Sequence, residues 1–209
     1  MKKIISLLLI SLAPIIVIWS AHGRANGPAL LQSAPAISAG EARLRTPAQL
    51  AAVPDPATVE EIPIKFAEAS SILSAQLGGH PKDFFGPRKA IDNDWTTCWA
   101  EGVAGIGAGE WIKVVWLTKE VPAYVAVLPG WAKSKARWEN NPRLREIEII
   151  LSDGVRQVAA FEDHMQMQFV KLTSDQPAEW AKLVIRAVYP GKKFEDTSIS
   201  EIKVFRLKK

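Results

Sequence analysis

One cysteine, Cys98, is all the thiol chemistry this 209-residue chain contains. It has no partner for an internal disulfide, so the fold rests on its packed core even in an oxidising compartment. Only three histidines accompany it, His22, His80 and His164. No close ligand pair such as HxxxH occurs, which removes an ordinary zinc site. A Cys98 nucleophile would need His80 or His164 as its base. Set between Thr97 and Trp99, where a strand begins, Cys98 reads instead as a packed thiol. A concentrated basic block is missing as well. Three of the 26 basic residues, Lys2, Lys3 and Arg24, lie in the first 25 positions, and the remaining 23 face 22 acids. A nucleic-acid partner is therefore not expected.

What is present begins with "MKKIISLLLISLAPIIVIWSAHGRANG". Two lysines precede an apolar run from Ile4 to Trp19, and small residues follow. That is the order of a secretory signal peptide, placed at residues 1–25, and it implies a secreted or periplasmic product. The alternative is an uncleaved anchor, for which the run is slightly short. No membrane contact is expected beyond this segment. Residues 26–61 are rich in Ala and Pro, and Pro28, Pro35, Pro47, Pro54 and Pro56 interrupt any long helix. They read as a linker, with one helical turn near residues 47–52.

From residue 62 to 209 short β-rich runs alternate with turn signals, and the expected fold class is all-β. Strands are predicted at 62–67, 110–117, 123–128, 144–151, 156–161, 166–172, 181–188 and 201–207. Trp111, Val114 and Trp116 break a strict alternation, which predicts a strand buried on both faces or bulged. Leu144 and Ile147 shift phase, which predicts a bulge. Gly154 can supply the positive φ of a hairpin turn. Eight short strands without a long helix predict an antiparallel jelly-roll β-sandwich. The Gly- and Pro-rich residues 70–89 form either a binding loop or a cover over one end.

The densest stretch is "AIDNDWTTCWAEG", residues 90–102. Asp92, Asp94 and Thr97 offer oxygens in one turn, which suits calcium. Asx-turn capping uses the same atoms. Trp95 and Trp99 are assigned to packing. Glu101, Glu110, Asp196 and Glu201 could furnish a glycosidase pair, or serve as surface acids and ion pairs.

This stretch resembles the D-G-D-x-x-T-x-W turn of discoidin-like, coagulation factor 5/8 type C and galactose-binding-like sandwiches, with Asn93 in the glycine position. "GIGAGEWIKV", "GWAKSKARWENNPRLREIEI" and "YPGKKFEDTSISEIKVF" follow in the order and spacing of the NADase-type glycan-binding domain, also described as the NAD glycohydrolase translocation domain. The resemblance implies an eight-stranded jelly roll and a non-catalytic module for a glycan or cell-surface ligand. No NAD-hydrolysing domain is expected, since four residues follow Phe205. The resemblance also places calcium, in a structural role, between the Asp-rich turn and a glutamate on the last strand. Asp92, Asp94, Thr97 and Glu201 match those positions.

Ligand-binding candidates come from the matching loops: Trp131, Lys133, Trp138, Asn140, Asn141 and Arg143, with Glu101, Glu110 and Asp196. Sugar sites use a flat aromatic face for the apolar side of the ring and amide or charged groups for its hydroxyls. Trp138, between Arg137 and Glu139, is the expected exposed aromatic. Alternatively Trp131 and Trp138 close the sandwich end, Asn140 and Asn141 serve the turn before Pro142, and the three acids pair with Lys133 or Arg143. Two further functions stand beside glycan binding: a protein-binding adaptor in toxin delivery or envelope assembly, and a hydrolase using loop carboxylates or Cys98.

Overall fold

The computed structural model describes residues 50–74 and 81–209. Two antiparallel sheets face each other across one apolar core. The first contains β1 (Leu50–Ala51), β2 (Val59–Glu61), β4 (Trp99–Ala100), β6 (Tyr124–Pro129), β9 (Gln168–Lys171) and β11 (Ser198–Leu207). They run in the order β1-β9-β6-β11-β2, and β4 also pairs with β11. The second sheet runs β3-β5-β10-β7-β8, from β3 (Ile64–Ala69), β5 (Trp111–Glu120), β7 (Arg143–Leu151), β8 (Arg156–Ala160) and β10 (Ala178–Tyr189). One short helix, α1 (Lys135–Asn140), and a 3-10 turn at Pro87–Ala90 interrupt the strands. Among the described residues no helix is long and apolar enough to cross a membrane. The expected signal segment and the first part of the expected linker lie outside the described residues.

All eight predicted strands are present; β8 and β10 alternate an apolar inner face with a mixed outer one, whereas β6 and the first half of β11 are buried on both faces. β5 alternates strictly, with Ile112, Val114 and Trp116 in the core and Trp111 on the outer face. Burial on both faces therefore does not hold at Trp111, whereas the alternative expectation, a bulge, does: the register of β5 with β10 shifts between Val115 and Glu120. The phase shift in β7 is real: its register with β10 breaks opposite residues 144–147. Gly154 turns the β7–β8 hairpin at φ 92°. β1, β2 and β4 are too short to show a period, and sequence reading missed them. Leu50–Ala51, expected in a helical turn, instead pairs with β9, and Val59–Glu61, expected in the linker, pairs with β11. Edge pairing to an existing sheet overrides the Pro-rich composition around them.

Trp99 lies at the centre of the core with no exposed surface, and its Nε1 donates to the Ser71 carbonyl at 3.0 Å. Trp99→Ala is expected to cost about 3–5 kcal/mol, read as a lower denaturant midpoint at unchanged m-value.

Candidate functional site

The connections after β3, β4, β6 and β10 all leave the same end of the sandwich, and together with Arg143 at the start of β7 they carry every ligand-binding residue nominated from sequence. They are tied to one another. Gly130 N donates to the Ser198 carbonyl and Ala132 N to Ser200 Oγ, both at 2.9 Å. Trp131 Nε1 donates to the Thr96 carbonyl at 2.8 Å. The amides of Lys192, Lys193 and Phe194 donate to the carbonyls of Glu139 and Asn140.

Trp138 is not the exposed aromatic that the sequence suggested. It is only 8% exposed, and its Nε1 donates to the Pro129 carbonyl at 2.9 Å. The cause is α1, capped by Ser134, whose Oγ accepts from Arg137 N. One turn of helix directs Trp138 inward while Lys135 and Arg137 face solvent. Arg143 stacks on the Trp138 ring, 4.5 Å from its centroid, and forms a two-pronged pair with Asp163 at 2.8 and 2.6 Å. Its Nη1 also donates to the carbonyls of Asn141 and Pro190. Gly130 makes the stack sterically feasible: a Cβ there would stand 2.5 Å from Arg143 Cγ, and its φ is 80°. Trp131 is buried beneath Arg137 and packs edge-on against Phe85. Asn141 is buried and its side-chain amide donates to the Arg137 carbonyl, while Asn140 is half-buried.

The three acids do not pair with Lys133 or Arg143. Glu101 is completely buried, and its two oxygens accept from Thr197 N and Val103 N, each at 2.9 Å. Burial raises its pKa against the opposing effect of those two amides. Glu110 accepts from the hydroxyls of Ser70 and Ser71. Asp196 is half-buried, and burial raises its pKa too. The charges of Glu101 and Glu110 are met by backbone amides and hydroxyls, most of them distant in sequence and brought close by the fold.

Trp95 reverses the other aromatic assignment. It is 53% exposed, with no ring or hydrogen-bond partner among the described residues. Its turn is nevertheless well held. Asp94 Oδ1 accepts from Thr96 N and Thr96 Oγ1, which lowers the Asp94 pKa. Asn93 adopts the positive φ that the glycine of the motif would take, at 59°. Lys133 is exposed and close enough to act on Asp94. A signal was available in sequence: Trp95 stands between two cap-forming polar residues, where a core side chain would have to reverse direction. Trp99 and Cys98 are buried as expected. Burial, helped by the nearby Asp92 charge, pushes the Cys98 thiol well above its ordinary pKa.

Thr97 Oγ1 lies 2.9–3.1 Å from four oxygens: the Lys89 carbonyl, both oxygens of Asp92 and the Asp94 carbonyl. One hydroxyl proton satisfies only one of them. Glu201 faces the same turn from β11. It is 1% exposed, and its Oε2 has no hydrogen-bond partner. Burial first, then the Asp92 charge, push its pKa up to about 7 against the attraction of Lys203. Among the described residues no three acidic, histidine or cysteine side chains come together. The set is two carboxylates with neutral oxygens, a mixture that calcium accepts. Lys203 stands next to it, with its Nζ 2.7 Å from Asn93 Oδ1 and 3.0 Å from Glu61.

A mostly apolar cleft of about 530 Å³ opens at the opposite end, near Val121, Leu172 and Leu207. It gathers none of the residues nominated from sequence.

Sheet order and loop end together define a galactose-binding-like sandwich. Similar solved structures include the family 32 carbohydrate-binding module of C. perfringens NanJ in complex with galactose, at 21% identity and a TM-score of 0.51. The match covers 71% of this chain and 99% of that one. An F5/8 type C domain from Bacteroides fragilis matches at 15% identity and TM-score 0.51, over 74% and 95% of the two chains. The arabinofuranosyltransferase AftD from Mycobacteria matches at 18% and 0.52, over 71% of this chain and 12% of that one. At these identities the likeness is one of fold. The family model for the NAD glycohydrolase translocation F5/8 type C domain matches residues 61–205, and the chain belongs to that family. No curated protein sequence matches it.

In Glu101→Gln an amide NH2 replaces one acceptor and faces a backbone N–H inside the protein. A loss of about 1–3 kcal/mol is expected. The raised pKa means that the folded state holds the proton more readily than the unfolded one. This contribution to stability is thus full below the ordinary value of 4.5 and declines as pH rises through the folded value. Urea denaturation across pH 4–8 should show that decline flattened in Glu101→Gln.

Proposed function

We propose that the domain is an exported, non-catalytic module that binds a glycan or cell-surface ligand at its loop end, with Trp95 as the stacking platform. The half-exposed, unpartnered indole of Trp95 on a tightly hydrogen-bonded turn carries this reading. An aromatic face presented on a fixed backbone suits the apolar side of a sugar ring. Lys133 and the Asp94 region supply polar groups beside it. The commitment of Glu101 and Glu110 to amides and hydroxyls supports binding over hydrolysis. Arg143, Trp138 and Asn141 hold the loops in place behind the platform. The lysine-then-apolar N-terminus supports export.

Glycan-array screening followed by calorimetry tests this reading. Trp95→Ala is expected to weaken the best-bound glycan tenfold or more, about 1.4 kcal/mol, with an unchanged melting temperature. Binding that is indifferent to Trp95→Ala overturns it. Failure of every glycan together with a protein crosslinked at Trp95 favours the adaptor.

The oxygens around Thr97 support a structural calcium ion held by Asp92, Thr97, the Lys89 and Asp94 carbonyls, and Glu201. Its charge would relieve the Asp92–Glu201 repulsion and fasten the turn to β11. Calcium should raise the melting temperature relative to chelator, and Asp92→Ala or Glu201→Gln should remove the difference. Equal melts of the chelator-stripped protein with and without calcium would show that the Lys203 ammonium already suffices.

A further inference from the structure

The outer face of the second sheet carries an arrangement that the loop end does not explain. Strand register sets Glu68, Lys113, Lys182, Ile150 and Arg156 in one row across the five strands. The rows on either side carry aromatic and apolar side chains, with Glu148 next to Val184 in one of them. Trp111 stands opposite Val184 in one, and Phe66, Val115 and Trp180 line up in the other.

Lys113 and Lys182 are direct cross-strand partners, an arrangement in which like charges destabilise a sheet. Their ammonium groups part in opposite directions. Lys182 Nζ lies 5.0 Å from the Trp111 ring centroid, and Lys113 Nζ lies 6.0 Å from that of Trp180. Glu68 meets Lys113 at 2.6 Å. Lys182 has no carboxylate partner among the described residues. Arg156 shares Glu148 with Arg186, so the neighbouring acid is already engaged by two guanidinium groups. Lys113, Lys182, Arg156 and Arg186 outnumber Glu68 and Glu148 here, and Lys182, over Trp111, is paired with neither acid.

We infer that this face binds a linear polyuronate, laid across the strands along the Lys113–Lys182 row. A polymer with one carboxylate per sugar ring complements cations on adjacent strands about 4.8 Å apart. Each lysine exchanges its indole for a sugar carboxylate. That exchange uncovers the Trp111 and Trp180 rings for pyranose faces and relieves the lysine–lysine repulsion. A protein partner would have to desolvate the same lysines and offer matched acids without gaining the ring stacking. The face is separate from the Trp95 turn, and its occupancy stands or falls independently of the loop-end reading.

Affinity electrophoresis of the full chain in polygalacturonate, dextran sulfate and neutral hydroxyethylcellulose tests it. Polygalacturonate should retard the wild type and Trp95→Ala equally. Retardation should weaken tenfold or more in Lys113→Gln/Lys182→Gln and in Trp111→Leu. Should the double variant melt early, Lys182→Met alone must still show the loss. Three results would overturn the proposal: no retardation of the wild type by polygalacturonate, binding to dextran sulfate as strong and unmoved by Trp111→Leu, or loss in Trp95→Ala. Crosslinking of Lys182 to a protein that polygalacturonate does not displace would assign the face to that protein instead.

Discussion

Burial of β11 on both faces between Ser198 and Ile202 is the constraint from which the loop end follows. One face belongs to the core, and the loops cover the other. Ser198, Ser200 and Glu201 are thereby enclosed, and an enclosed polar group without a partner is costly. The loops supply partners. Gly130 N reaches the Ser198 carbonyl, Ala132 N reaches Ser200 Oγ, and Glu101 spans to Thr197 just before the strand. Two of these bonds fix the connection after β6, and the third fixes the connection after β4, to the start of the same strand. Among the described residues, the buried side-chain polar atoms left without a hydrogen-bond partner are Glu201 Oε2 and the Ser198 hydroxyl. The first of these faces the Asp-rich turn, and that deficit is what supports the calcium ion proposed there.

The same covering explains which parts of the protein were legible in the sequence. Strand period survives wherever one face is core and the other is open, as in β8 and β10, while β6 and β11, buried on both faces in part, were readable as short apolar runs between turn signals. Asn93 and Gly154 were readable because positive φ limits the residue type at a single position. β1, β2 and β4 span two or three residues, too few to display a period, and exist because a neighbouring strand has free edge groups. The site was less legible. Trp138 looked exposed because its sequence neighbours are charged, and one helical turn separates neighbours that a strand would merely alternate. Arg143 was nominated as a ligand contact, yet Asp163, 20 residues away, claims it. No local pattern encodes such a pairing.

Arg143 and Glu101 are buried charges whose contribution to net stability is modest even when fully hydrogen-bonded. Their effect is on geometry. Arg143 clamps the end of α1 to the loops at Asp163 and Pro190, and Glu101 clamps the turn after β4 to the start of β11. Loops joined in this way lose their freedom during folding, before any ligand arrives. A ligand at the proposed Trp95 platform would then order little protein, which is the route by which a small contact area yields useful affinity.

The outer sheet face obeys the opposite economy. Its backbone is rigid, but its recognition groups are long side chains resting on indoles. A ligand there must displace Lys182 from Trp111 before it can stack, so part of the new electrostatic attraction is offset by the lost cation–π contact. Such a surface discriminates by charge density: a neutral sugar gives nothing in return for moving the lysine, whereas a carboxylate does. The Trp95 turn presents its ring without that barrier. Ligands at the two proposed surfaces would therefore differ in salt response, because screening weakens a charge exchange on the sheet while leaving a stacking contact at the turn largely intact.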